Sequence, residues 1–464
     1  MGGWTDNFSL WQWGLVISSS LILYFLSPRA RTPAAFYAGE RREQSPSTLA
    51  LTSSLVISWL FAKSLTNAAN LGLAFGFLGG VAYAAYYLSF AVAGVVIYQL
   101  RTRGGFTSIH DFLSRRFGRR AVLLFSLLIC LRLFNEVWSN TMVIGSYFGD
   151  VGSMPYFLAI GCFTLLTLAY SLKGGMSSSI LTDIIQMVLF AVLLAVVLGA
   201  ILPQTEYRLE PLLGMESRTE TAQAVAGGGL NLLLVAILQS LSYPFHDPVL
   251  TDRGFLSDPK VTRRAFMWAV PVGMVCILLF SLVGTYGKLM GVEGQAPVEV
   301  ARLLGGPILL VMNLIMITSA ASTLDSTFSS FAKLSVVDLT GKTTKEASIR
   351  YGRIAMVGIT LLGTVPIFLN PAIISATTVS GAMVMGLAPV FCLWWIRVPP
   401  SGFFLSVGAG LCFGLIYAAG WWPPGWTIGG GVYADLLAIT CVSLPVCSIL
   451  YLAPALLHEQ EPFV

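Results

Sequence analysis

Roughly thirteen apolar runs of about 20 residues succeed one another along this chain, lying near 11–26, 49–74, 77–99, 121–148, 155–172, 178–202, 227–249, 265–287, 306–336, 352–369, 372–396, 402–420 and 432–454. A run of that length makes a helix that crosses the hydrocarbon of a bilayer. There the backbone must satisfy its own hydrogen bonds, which leaves helices or closed barrels. Only 11% of the residues are charged and 56% are hydrophobic, whereas a soluble domain carries about 25% charged residues. The chain reads as an all-α polytopic membrane protein of about thirteen transmembrane helices, with residues 1–464 forming one transmembrane domain. The polar stretch Thr107–Phe117 is expected to be a short interfacial helix.

The basic residues sit in short loops between these runs, so the net charge of +5 points to membrane orientation and not to nucleic acid. With the N-terminus outside, 20 of the 27 Lys and Arg residues fall on inner loops, Arg41, Arg42 and Arg253 among them, and 4 on outer loops, including Arg218. The other 3, Lys63, Arg132 and Lys333, lie within spans. This predicts a multi-pass protein of the cell membrane, of the bacterial inner-membrane kind, with the C-terminus cytoplasmic. The N-terminal segment has no basic region and carries Asp6, so the first run reads as a retained span and not a signal peptide. The tail HEQEPFV is short, and no soluble domain is expected. The seven cysteines lie in apolar segments without CxxC spacing, and the three histidines make no metal signature.

Polar residues inside the spans are expensive and therefore informative. The densest stretch is TSAASTLDSTFSSFA, Thr318 to Ala332. Ser319, Ser322, Thr323 and Ser326 share one helical stripe, with Asp325 and Ser329 beside it. Such oxygens replace the hydration of a hard cation. In the second span Lys63, Ser64, Thr66, Asn67 and Asn70 follow ISWLF, where a loosened helix would offer the carbonyls of Ile57 and Leu60 to an ion. Lys63 lies too deep to snorkel, so it either pairs with a carboxylate or meets an anionic solute. Arg132 and Glu136, four residues apart, can pair on one face, and Glu136 is equally a partner for Lys63. Asp183 stands about one turn into the sixth span. Pro244 and Pro248 force the seventh span to break around Tyr243–Asp247, which puts His246 and Asp247 near the inner end in a gating or structural role. Two breaks five spans apart are the sequence sign of a central site between inverted repeats.

Several motifs resemble the sodium:solute symporter family, carriers of proline, sugars, sialic acid and iodide. They are FYAGERR, FTSIHDFLSRRFG, YSLKGGMSSSILTDIIQ, DRGFLSDPKVTRRA and SAASTLDST, in order over about residues 36–340. The resemblance implies a LeuT-type 5+5 inverted repeat, the first over about 48–202 and the second over about 227–396. One extra N-terminal helix (about 10–27) and two C-terminal helices (about 402–420 and 432–454) complete it. It implies a sodium site made by the carbonyls of Ile57, Leu60 and Ser319 and the hydroxyls of Ser322 and Thr323. A second sodium would use Asp183, Ser322, Asp325 and Ser326, with Asp325 standing where some members use a hydroxyl. Where the sugar carriers have Asn, Glu and Gln, this chain has Trp59, Lys63 and Ser64, a departure that argues against a sugar.

The function expected is sodium-coupled symport of a small carboxylate-bearing amino acid or organic acid by alternating access, with Na+ as coupling ion and no cofactor. Trp59, Lys63, Ser64, Arg132, Glu136 and Tyr243 are the candidate solute residues; Phe61 and Trp138 are further candidates for the cavity wall. The expected partners are solute, sodium and the bilayer, with a monomer or weak homo-oligomer. A proton-coupled carrier on the same fold, using Lys63, Glu136 or Asp183, is the alternative, and a solute-sensing membrane domain a more distant one. No nucleophile–base constellation suggests an enzyme.

Overall fold

The computed structural model describes residues 8–39, 46–213, 222, 227–371 and 373–458. Asp6, Arg41, Arg42, Arg218 and the tail after His458 lie outside the described residues. Among the described residues every regular element is helical. Ten helices are long and apolar enough to cross a membrane, and a bent pair makes eleven. The two remaining expected spans, 227–249 and 372–396, are present as short broken pieces.

In chain order, α1 (Phe8–Leu26) and the short α2 (Pro33–Ala38) precede the bent pair α3 (Thr48–Trp59) and α4 (Ala62–Phe75). These two meet at 63° across Leu60 and Phe61. Next come α5 (Phe77–Thr102), the interfacial α6 (Ile109–Phe117), α7 (Arg119–Gly145), α8 (Met154–Gly174) and α9 (Met176–Thr205). Ser108 caps α6, accepting a hydrogen bond from the Asp111 N–H. The expected seventh span is α10 (Gly229–Gln239), a 3₁₀ turn at Tyr243–His246, and α11 (Pro248–Arg253). Then follow α12 (Pro259–Leu289), α13 (Ala296–Leu303), α14 (Gly306–Asp338) and α15 (Ile349–Leu369). The eleventh expected span divides into α16 (Ser375–Met383) and α17 (Leu387–Cys392), and α18 (Pro400–Ala418) and α19 (Ala434–His458) close the chain.

Helix α14 is the centre of the bundle, packing on α3, α4, α7, α8, α9 and α15. Its stretch from Met316 to Ser330 is buried throughout, so the hydroxyl stripe faces protein on every side. By contrast α1, α9 and α15 expose apolar residues such as Phe25, Val188 and Leu361, the face a bilayer covers. Helix α4, beyond the bend, is clasped by α12 at backbone contact. A methyl on Gly284 would overlap the Ala69 carbonyl, and one on Gly72 would overlap the Ser281 carbonyl. Small residues permit this approach where lipid supplies no hydrophobic drive between helices.

Because the obstruction at Gly284 is backbone, Gly284→Val is expected to destabilise by at least the usual overpacking cost of about 1–3 kcal/mol. Gly199→Val, where no atom lies within 4 Å of the added carbon, is expected to leave the melting temperature unchanged. Thermal unfolding of the two purified variants beside the wild type checks this.

Candidate functional site

The break between α3 and α4 frees backbone groups. Leu60 N–H donates to Val56 O and Leu65 N–H to Phe61 O, so the bonds flanking the break leave out the carbonyls of Ile57 and Leu60. The Trp59 carbonyl accepts the Tyr87 hydroxyl at 2.8 Å, and Lys63 N–H donates to Asn140 Oδ1 at 3.1 Å. Facing this break is the α14 stripe. Thr323 Oγ1 donates to the Ser319 carbonyl at 2.9 Å, and Ser322 Oγ donates to Asp183 Oδ1 at 2.6 Å. Each hydroxyl has spent its proton on protein, so its lone pairs are what it has left for a cation. Asp183 also accepts from Ser54 Oγ of α3 at 2.5 Å, which ties α3, α9 and α14 together at one carboxylate.

A second polar cluster continues from Asp183. Thr182 Oγ1 donates to Asp325 Oδ2 at 2.9 Å, Ser326 Oγ to Asp325 Oδ1 at 3.3 Å, and the Ser179 and Ser326 hydroxyls are 2.8 Å apart. The four residues expected around a second cation are therefore adjacent. A fifth residue joins them. Arg253, read from the sequence as an inner-loop residue, is fully buried at the end of α11. Its Nη2 donates to Asp183 Oδ2 at 2.8 Å and Ser326 Oγ at 2.9 Å, and its Nε to Ser54 Oγ at 2.6 Å. The correction has a physical reason: after the break α11 restarts as a helix, and its last turn points inward where a loop would not.

The second constellation surrounds both breaks. Lys63 Nζ meets Glu136 Oε1 at 2.6 Å, and Glu136 also pairs with Arg132 Nη1. Arg132 Nη2 reaches Asp247 Oδ2 at 3.1 Å, and the Trp59 indole N–H donates to the same oxygen at 3.0 Å. The four charged side chains thus alternate in sign, are buried, and sum to zero. The Phe61 ring lies 5.1 Å from Lys63 Nζ and 5.2 Å from the Arg132 guanidinium, with Tyr243 5.4 Å from the latter. Such aromatic faces suit desolvated cations. Lys63 takes the first of the two roles that its sequence position allowed: it pairs with a carboxylate. Asp247, expected in a gating or structural role, caps α11 through Val249 and Leu250 N–H and joins the charge chain beside Arg132.

Of the expected solute residues, Trp59, Lys63, Arg132, Glu136 and Tyr243 come together. Ser64 stands aside, accepting from the Tyr83 hydroxyl at 3.1 Å. Trp138 packs with Met142, Tyr156 and Ile367 in a separate apolar cluster. At the end of the bundle that carries α6, a cavity of about 580 Å³ is lined in part by His110, Asp252, Lys333 and Asp338. Lys333 Nζ bridges Asp252 at 2.6 Å and Asp338 at 3.3 Å. Burial holds the His110 imidazole below its usual range against the pull of Asp338. Arg253, read from sequence as a loop residue, and Asp247, read as gating or structural, are the two residues of these clusters that were not among the sequence candidates for ion or solute. Their one signal is the helix that Pro248 starts immediately after the break.

Residues 36–238 match the Sodium:solute symporter family. A solved structure of a Na+-coupled sialic acid symporter, substrate-bound and outward-open, is similar with a TM-score of 0.69 at 15% identity, over 97% of this chain and 98% of that one. Mhp1, a nucleobase-cation-symport-1 family transporter in a closed conformation with bromovinylhydantoin bound, is similar at 0.54 and 13%, over 93% and 96%. These likenesses carry the LeuT-type fold across nearly the whole chain.

Glu136→Gln removes the counter-charge of Lys63 and one of the two carboxylates of Arg132 and is expected to cost about 3–5 kcal/mol, with Lys63→Met added to it recovering part. Glu299→Gln, in a partly exposed pair with Arg302, is expected to stay within about 1 kcal/mol. Melting temperatures of the purified variants decide; equal losses at both glutamates would overturn the assignment.

Proposed function

We propose that this chain, a sodium-coupled solute symporter of the sodium:solute symporter family, carries a zwitterionic amino acid. Sodium binds where the α3 break meets α14, on the carbonyls of Ile57, Leu60 and Ser319 and the hydroxyls of Ser322 and Thr323. The solute binds beside the chain Lys63–Glu136–Arg132–Asp247. That chain carries no net charge, so a lone anion would leave a buried site at −1, at several kcal/mol. A zwitterion adds none. Its carboxylate competes with Glu136 for Lys63 and Arg132, and its ammonium competes for Glu136 and Asp247. This narrows the carboxylate-bearing solutes expected from sequence to amino acids over simple organic acids.

The observation that carries the reading is the position of Trp59. It lies between the two residues whose carbonyls serve sodium, and its indole holds Asp247 of the solute chain at 3.0 Å. Sodium that orders the break therefore also orders the indole and the Asp247–Arg132 pair. By linkage, solute raises sodium affinity by the factor that sodium raises solute affinity. Sodium enters from the outside, driven by the membrane potential at about 2.3 kcal/mol per charge per 100 mV. Rearrangement of the broken spans against their surroundings then opens the other side. This chemistry needs binding and release only; no bond is made or broken.

The test is the melting temperature of purified protein in sodium chloride against choline chloride, with zwitterionic amino acids, monocarboxylates or simple amines added. A ligand at 100 times its Kd stabilises by about 2.7 kcal/mol, enough to read as a shift of a few degrees. Sodium alone is expected to raise the melting temperature, and Thr323→Ala to abolish the rise. An amino acid is expected to add to it only when sodium is present. Stabilisation by monocarboxylates in preference to amino acids would sink the solute reading, and no sodium effect would sink the sodium site.

A further inference from the structure

We infer that Arg253 fills the second cation site as a tethered cation, so that this transporter binds one sodium ion and not two. The inference rests on the primary sodium site proposed above. The oxygens around Asp183 and Asp325 are the hard ligands a second ion would need, yet the guanidinium already sits among them. Nη2 lies 2.8 Å from Asp183 Oδ2, 2.9 Å from Ser326 Oγ and 3.3 Å from Ser179 Oγ. Nε takes Ser54 Oγ at 2.6 Å, and Nη1 is anchored on the Val249 carbonyl at 2.7 Å. Both side chains of the Arg253–Asp183 pair are fully buried. An ion binding to Asp183 Oδ2 and the Ser326 hydroxyl would have to displace Nη2 from both.

Charge balance points the same way. Asp183 and Asp325 are the buried carboxylates of this region, and Arg253 offsets one of them. One sodium ion at the neighbouring primary site, where Ser322 is shared through its bond to Asp183, brings the sum to zero. A second ion would leave a buried net positive charge, which low-polarity surroundings oppose. Asp183 then has a different task. It accepts the hydrogen bond of the Ser322 hydroxyl and turns that oxygen's lone pairs to the primary ion, as an outer partner orients a metal ligand. Asp183 is a positioning residue and Arg253 its counter-ion.

Equilibrium binding of radiolabelled sodium to purified full-length protein tests this by counting ions. The wild type and Arg253→Lys are expected to bind one ion per chain, and Arg253→Gln two, because the vacated carboxylate takes an ion in place of the guanidinium. Adding Asp183→Asn to Arg253→Gln is expected to return the count to one. Two ions on the wild type, or one on a folded Arg253→Gln, overturns the inference and leaves the primary site standing. Should Arg253→Gln not fold, the wild-type count decides alone. If the wild type binds none, the primary sodium reading falls; a single ion then gained by Arg253→Gln still supports the arginine as the occupant of the second site.

Discussion

A charge taken out of water into a membrane protein must meet its opposite within a few ångströms, or the fold cannot hold it. In this chain that demand is met by two short runs of paired charges. Lys63, Glu136, Arg132 and Asp247 alternate through the centre, while Arg253 pairs with Asp183 closer to α14. Each run begins on one broken span and ends on another element. The ion pairs therefore help locate α4 and α11, and hydrogen bonds from Ser54 and Trp59 to Asp183 and Asp247 tie in α3; these helices are too short to be held by helix propensity alone.

Both runs touch α11. Asp247 caps its start and Arg253 closes its last turn, and between them Asp252 pairs with Lys333 of α14. Six residues and their cap thus carry links to the central charge chain, to the Asp183 cluster and to the cavity beside α6. A displacement of α11 cannot leave any of the three unaffected. That is a physical basis for coupling: the same rigid piece must satisfy partners in separate places, so a change in one changes the others. The clasp of α12 on α4 through Gly284 and Gly72 supplies the fixed side against which such a displacement is defined.

Much of this was legible before any fold was known. Apolar runs of spanning length required helices, and ISWLFAKS and SYPFHDP pointed to the two breaks, the second through prolines that cannot donate a backbone hydrogen bond. The oxygen stripe of α14 followed from helical spacing alone. Lys63 was confined to two partners by its depth. Where sequence reading misplaced a residue, it fell just after a break: Arg253 was assigned to a loop and is a buried helical residue, since the direction a chain takes beyond a break is not a local property.

What the sequence determined by itself was the class of the fold, the location of its interruptions and the hydroxyl stripe of α14. These depend on periodicity, on transfer cost and on the missing N–H of proline, all of which act within a few residues. The tertiary structure alone decided which charge meets which. Arg253 and Asp183 lie 70 residues apart, and Arg132 and Asp247 115 apart, distances over which a chain carries no geometric information until helices are packed. The neutral sum of the central charge chain and the arginine paired with the α9 carboxylate Asp183 are properties of that packing, because an ion pair is specified by position in space and not by order along the chain.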